Sequence, residues 1–184
     1  MDLEAPLRRE VCQILEPACE CIELAPVALA CGHRGQIDVL ASPREPALNP
    51  YTIAIEVKVC DVVTDRDLGR WIKQAADYVD AIPRNRWPRI AATFIWLAGK
   101  QFDCHEEEQL RMQGMIQLAQ HFRVGTARTD GRGLLLLFGP SAYVFCRGTW
   151  APKASELLSA SRISAGTRRR LASPKQVVSG EAQR

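Results

Sequence analysis

The chain has 184 residues, 47% hydrophobic and 24% charged, with a formal net charge of +3. That balance excludes a disordered or fibrous chain, and the length fits one domain with a tail. No apolar run approaches the ~18 residues that span a bilayer, and the opening MDLEAPLRRE is charged where a signal peptide is apolar, so a cytoplasmic protein with no membrane partner is expected.

Residues 2–16 read as a helix, because Leu3, Leu7, Val11, Ile14 and Leu15 recur at helical spacing. Asp2 is the expected cap, Pro6 fits within the first turn, and Pro17 ends the run. Cys21–Leu24 and Val27–Ala30, divided by Pro26, predict one interrupted edge strand. Gly32 and Gly35 bracket a turn, and the strand Gln36–Ala41 follows, with Ile37 and Val39 facing one way and Asp38 the other. Ser42–Pro50 holds three prolines and is a loop. Tyr51–Cys60, YTIAIEVKVC, is a buried strand: Ile53, Ile55, Val57 and Val59 share one face, Ala54, Glu56, Lys58 and Cys60 the other. Asp65–Ile82 predicts a helix capped by Thr64 or Asp65, with Leu68, Trp71, Ile72, Ala75, Val79 and Ile82 as its apolar stripe and Pro83 as its stop.

Ile90–Ala98 is a further buried strand. Glu106–His121 reads as a helix with Glu106–Glu108 at its N-terminal end, where the dipole favours them. Short strands follow at Arg123–Ala127, Leu134–Phe138 and Tyr143–Arg147, and a short helix at Leu157–Ile163. The sequence thus divides into a domain at 1–150 and a basic, partly flexible tail at 151–184, and the element order fits an α/β fold on a mixed sheet. The tail carries seven Lys and Arg, Arg168, Arg169 and Arg170 among them, against Glu156 and Glu181. Such a balance suits either an anionic partner or a solvated end.

Seven cysteines at irregular spacing are free thiols in a reducing compartment. Cys19, Cys21, Cys31 and His33 are enough ligands for a zinc ion, but C-x-C followed by C-x-H is not a familiar zinc spacing. Buried thiols in strands are the expectation.

The chemistry concentrates at Asp38, Glu56 and Lys58. A carboxylate and an ammonium in so apolar a strand are costly to bury unless they pair or meet a metal. Phosphodiester hydrolysis needs an activated water, neutralised phosphoryl charge and a stabilised leaving oxygen, and a hard divalent cation serves all three. Asp38, Glu56 and the Val57 carbonyl form a suitable partial shell for Mg²⁺ or Mn²⁺. Lys58 can orient the attacking water, stabilise developing charge or, with a lowered pKa, act as base.

Asp38, followed by Glu56-Val57-Lys58, resembles the site of the PD-(D/E)XK nuclease superfamily, with Ile37 in place of the motif's proline. The resemblance covers roughly residues 3–98 and implies a restriction endonuclease-like αβββαβ core in which the first acid and the E-x-K lie on adjacent strands. Gln74 and Tyr78 match the Q-x-x-x-Y signature of some branches, in which the glutamine positions the active site or substrate backbone, and Arg70 precedes them by one helical step. Glu4, four residues before Arg8, matches the E-x-x-x-R form of restriction-type members and implies a further metal-facing acid, with Glu10 the alternative. The stretch Arg66–Arg70 also resembles a segment of archaeal Holliday-junction resolvases.

The resemblance implies an Mg²⁺-dependent deoxyribonuclease, an endonuclease in preference to an exonuclease, that meets DNA through Arg34, Arg70, Tyr78 and Arg168–Arg170. It would act as a homodimer where both strands of a duplex are cut. Two other classes remain open from the residues: a catalytically silent nucleic-acid-binding module of the same fold, and an α/β interaction protein with coincidental charges. Gln74 and Tyr78 can equally be surface residues beside the Trp71 stripe, Glu4 an ordinary first-turn acid, and His33 and Arg34 turn residues. Trp87, Trp96 and Trp150 are packing residues by default.

Overall fold

The computed structural model describes residues 2–59, 63–84, 87–98, 106–130, 132–139 and 141–159. Arg168, Arg169 and Arg170, and most of the predicted tail, lie outside them. The helices α1 (Ala5–Leu15), α2 (Asp65–Tyr78) and α3 (Glu106–Ala119) accompany a set of strands. The strands are β1 (Cys19–Ala28), β2 (Arg34–Pro43), β3 (Thr52–Val59), β4 (Ile82–Pro83), β5 (Ile90–Ala98), β6 (Val124–Asp130), β7 (Gly133–Phe138), β8 (Ala142–Cys146) and β9 (Thr149–Trp150).

They form one mixed sheet in the order β4-β1-β2-β3-β5-β6-β7-β8-β9. β1, β2 and β3 are an antiparallel meander, while β3, β5 and β6 run parallel, joined through α2 and α3. Parallel neighbours need such crossovers, and hairpins suffice for β6 to β9.

Strand β3 is held from both faces. Ile53, Ile55 and Val57 join Val11 and Leu15 of α1 in one core, together with Phe94 and the inward leucines of β7. Ala54 points the other way, into a cluster with Tyr78 of α2, Ile37, Leu40 and Ile90. Leu68, Trp71 and Ala75 of α2 complete that side against Ile95 and Val124. Each fully buried aliphatic side chain contributes about 1.5–3 kcal/mol, so the apolar positions of β3 anchor the polar ones between them. No helix among the described residues is long and apolar enough to cross a membrane.

Four expectations change. Strand β1 is continuous through Pro26, which pairs with Gln36, and β4 lies outside it as the edge. The second helix ends at Tyr78 rather than Ile82: Val79 is already extended, Asp80 takes a left-handed φ of 67°, and Ile82 is exposed on β4. The third helix gives way at Ala119 to a 3-10 turn, Gln120–Phe122, closed by Arg123 at φ 67°. Last, the alternation of β2 does not pass unbroken through Asp38: Val39 packs on the α1 side, but Ile37 on the α2 side.

The core continues past Trp150. Residues 154–159 are helical, Ala154 and Leu158 are buried against the α1-side core, and Arg123 donates to the Leu158 carbonyl at 3.3 Å.

Candidate functional site

Asp38 stands where the β2 ladder opens on both sides. Toward β1 the register runs from Glu23–Val39 to Ala25–Ile37, skipping Asp38 and Leu24, which has a left-handed φ of 49°. The Leu24 carbonyl instead accepts the Gln36 side-chain amide at 3.2 Å. Toward β3 the last pair is Val39–Ile55. Beyond it Asp38 Oδ2 accepts the Val57 N–H at 2.9 Å, so a carboxylate takes the place of a ladder carbonyl. A strand residue presents its N–H and C=O toward the same neighbour. The Val57 carbonyl therefore emerges on the β2 side too, beyond the last rung.

Glu56 and Lys58 follow Ala54 on the α2 side of β3. Lys58 Nζ donates to Glu56 Oε2 at 2.9 Å and lies 3.8 Å from Asp38 Oδ2. Glu56 is only 2% exposed, and its Oε1 is buried with no hydrogen-bond partner among the described residues. Burial dominates its electrostatics and the Asp38 charge adds to it, pushing its pKa up to about 7 although Lys58 opposes both. Burial also works against the Lys58 ammonium, but Glu56, Asp38 and Glu4 together outweigh it, so the pKa of Lys58 lies above the ordinary lysine value. The acids around it thus keep Lys58 protonated where no cation is bound. Lys58 is a fixed cation.

Helix α2 locks the glutamate from above. Gln74 Nε2 donates to Glu56 Oε2 at 3.3 Å and also lies 3.1 Å from the Tyr78 hydroxyl, which donates to the Gln36 carbonyl at 2.8 Å. One chain of hydrogen bonds thus ties β2, α2 and β3 together at the site. The Tyr78 ring fits because residue 35 is glycine: a Cβ there would stand 3.0 Å from Tyr78 Cε1. Thr64 fixes the start of α2 by accepting the Asp67 N–H at 3.2 Å.

From the opposite side comes α1. Arg8, 3% exposed, places Nη1 3.6 Å from Asp38 Oδ1 and 3.8 Å from Glu4 Oε2, and Nη2 2.5 Å from Asp2 Oδ2. The helix begins at Ala5 with Glu4, not Asp2, at its cap position, and Asp2 accepts the Glu4 and Ala5 N–H groups at 3.0 and 3.2 Å from two residues further out. Glu4 is the acid near the cluster; its pKa is raised by burial and then by the Asp38 charge. Glu10 is exposed on the same helix.

The structure therefore brings together Asp38, Glu56, Lys58, Gln74 and Tyr78, with Glu4 joined through Arg8. Arg70 does not belong to this group: its side chain is 71% exposed and pairs with Asp67 at 3.2 Å. Eight residues from Arg70 to Tyr78 drift about 80° around a helix of 3.6 residues per turn, so Arg70 leaves the hydrogen-bonded chain and stays open to the surface. Arg34 is exposed at the start of β2, opposite Ala28. The sequence pattern names Arg8 only as a spacing partner of Glu4, and it contains no signal for the Gln36 carbonyl or for Gly35.

Cys19 is buried, and burial pushes its pKa up to about 12. Cys21 shares a hydrogen bond with Cys12, and Cys31 is exposed. Among the described residues no group of three or more His, Cys, Asp or Glu side chains is placed to share a metal ion. The candidate set at β2 and β3 is smaller: two carboxylates and a backbone carbonyl. It suits a hard cation that keeps part of its water shell, and the unpartnered Glu56 Oε1 supplies a buried acceptor for one.

Comparison with known proteins returns little. No family model and no curated protein matches the chain. Among solved structures it is similar to the SPO1766 protein of unknown function from Silicibacter pomeroyi, with a TM-score of 0.40 and 15% identity over 94% of this chain and 92% of that one.

Proposed function

We propose that the chain is a metal-dependent nuclease of the PD-(D/E)XK type that hydrolyses DNA phosphodiester bonds, as an endonuclease. The observation that carries the reading is the convergence of Asp38, Glu56 and Lys58 within one hydrogen-bonded cluster, with a buried glutamate oxygen left unpartnered. Apart from the two-residue edge strand β4, the order α1, β1, β2, β3, α2, β5, with β5 parallel to β3, supports the restriction endonuclease-like assignment.

Asp38, Glu56 and the Val57 carbonyl are the groups that would hold Mg²⁺ or Mn²⁺. When bound, such an ion neutralises phosphoryl charge and acidifies the attacking water. Lys58 supplies a fixed positive charge for the developing phosphorane and leaving oxygen, or orients the water. Gln74 holds the Glu56 carboxylate in one orientation, and Tyr78 holds Gln74. Arg34 and the basic residues of 151–184 are the candidates for backbone phosphate contacts.

A second reading, a silent DNA-binding module, is favoured by one fact: Lys58 pairs with both acids and Arg8 with Asp38, so protein cations already balance the carboxylates. Incubation of the purified chain with supercoiled, linear, single-stranded and branched DNA, in Mg²⁺, Mn²⁺ or EDTA, separates the readings. The nuclease cuts only with a divalent cation, and Glu56→Ala loses at least about 100-fold in rate while retaining DNA binding. DNA that is bound but never cut supports the module. A chain that neither binds nor cuts is neither.

A further inference from the structure

Nuclease sites built on carboxylates use one cation or two, and a two-cation site places the ions about 3.5–4 Å apart around shared acids. A second ion here would need Glu4 as well as Asp38, because Glu56 Oε2 is already held by Lys58 and Gln74. The two oxygens of Asp38 are divided: Oδ2 serves Val57 and Lys58, and Oδ1 faces Arg8. The Arg8 guanidinium, 3.6 Å from Asp38 and 3.8 Å from Glu4, occupies the interval a second cation would fill.

The two flanking cations differ in how firmly they stay. Lys58 meets its two acids through a single ammonium on a four-carbon stem, and Glu56 keeps Oε1 without a partner among the described residues. Arg8 is planar and charged at every workable pH. Its hydrogen bond to Asp2 reinforces that charge, as do Asp38 and Glu4. It is also buried and clasped by Asp2, which accepts backbone N–H groups at the start of the same helix. Removing it from the interval would strip a buried guanidinium of its carboxylates, a change that costs far more than moving a surface side chain.

We propose that Arg8 stands in for a second metal ion, so that the site takes a single divalent cation, on the Asp38–Glu56 side. Glu4 then serves as a counter-ion to Arg8 and not as a ligand. This rests on the metal-dependent reading above and specifies its stoichiometry.

The test is a Mn²⁺ titration of the full chain, read by calorimetry and by electron paramagnetic resonance. The parent and Glu4→Gln proteins are expected to bind one Mn²⁺ per chain with an uncoupled spectrum. Arg8→Met, shown by circular dichroism to be folded, is expected to admit a second ion with spin coupling to the first. A parent protein that binds two ions, one of them lost in Glu4→Gln, overturns the proposal and leaves the metal-dependent reading standing. A folded Arg8→Met protein that still binds one ion overturns the assignment of the exclusion to Arg8. Absence of Mn²⁺ binding in the parent defeats the metal-dependent reading itself, and this inference with it.

Discussion

Two ion pairs in different parts of the sheet look alike and behave differently. On the β6–β8 side, Arg147 grips both oxygens of Asp130, with contacts at 3.3 and 3.0 Å and a still closer one from Nη2. The pair is open to solvent, and Arg147 draws the Asp130 pKa below its ordinary value. At β3, Lys58 and Glu56 pair just as well, at 2.9 Å, yet the Glu56 pKa goes up to about 7. Geometry is comparable and the direction is reversed, because desolvation decides in the interior and water makes it minor at the rim. A good ion pair is thus no measure of how comfortable its members are, and the buried one carries a strain that a cation could relieve.

The sharpest test of that contrast is pH. Glu56 binds a proton more readily in the fold than in the unfolded chain, where its pKa is 4.5. The stabilisation from protonated Glu56 is full below pH 4.5 and is lost as pH rises through about 7. In EDTA, urea unfolding is expected to show a loss of up to roughly 3 kcal/mol between pH 5 and pH 8 from this group. Glu56→Gln should flatten that slope; an identical slope in the variant would mean that the buried pair is not under strain.

Next in size is Asp38→Ala, which orphans the Val57 N–H and removes a counter-charge from both Arg8 and Lys58. A cost of about 2 kcal/mol is expected from the urea midpoint, with Asp38→Asn recovering part of it by keeping an acceptor for Val57. Tyr78→Phe removes the hydroxyl that joins Gln36 to Gln74 and should cost about 1 kcal/mol; the proposed nuclease function adds a fall in DNA cleavage larger than that loss explains. Away from the site, Arg147→Met should leave the unfolding midpoint within experimental scatter, because exposed pairs contribute little. A large effect there would erase the contrast between the two pairs.

Much of the site half was legible in the residues. The alternation of Tyr51–Cys60 placed Ile53, Ile55 and Val57 on one face and Glu56 and Lys58 on the other, and the structure has them so. Helix α2 was readable from its stripe and from Thr64 at its start. Its end was not, because Val79 and Ile82 continue the helical spacing and no glycine marks the left-handed turn at Asp80. The break at Asp38 was hidden for the same reason: Leu24, not glycine, takes the left-handed conformation opposite it. Arg8 was invisible as a buried residue: it stands at helical spacing from the buried Val11 and Leu15, but an arginine there reads as surface until the carboxylates around it are known.

The bond from Val57 to Asp38 separates the two acids as witnesses. Asp38 closes a backbone valence that would otherwise go unanswered inside the sheet, so a chain that had abandoned chemistry would still have a mechanical reason to keep it. Glu56 has no such excuse: its headgroup is a burden to the apo fold, and glutamine would sit there more easily. If the proposed nuclease function holds, the identity of the residue at position 56 in related sequences will say more about whether a chain cuts than the identity at position 38.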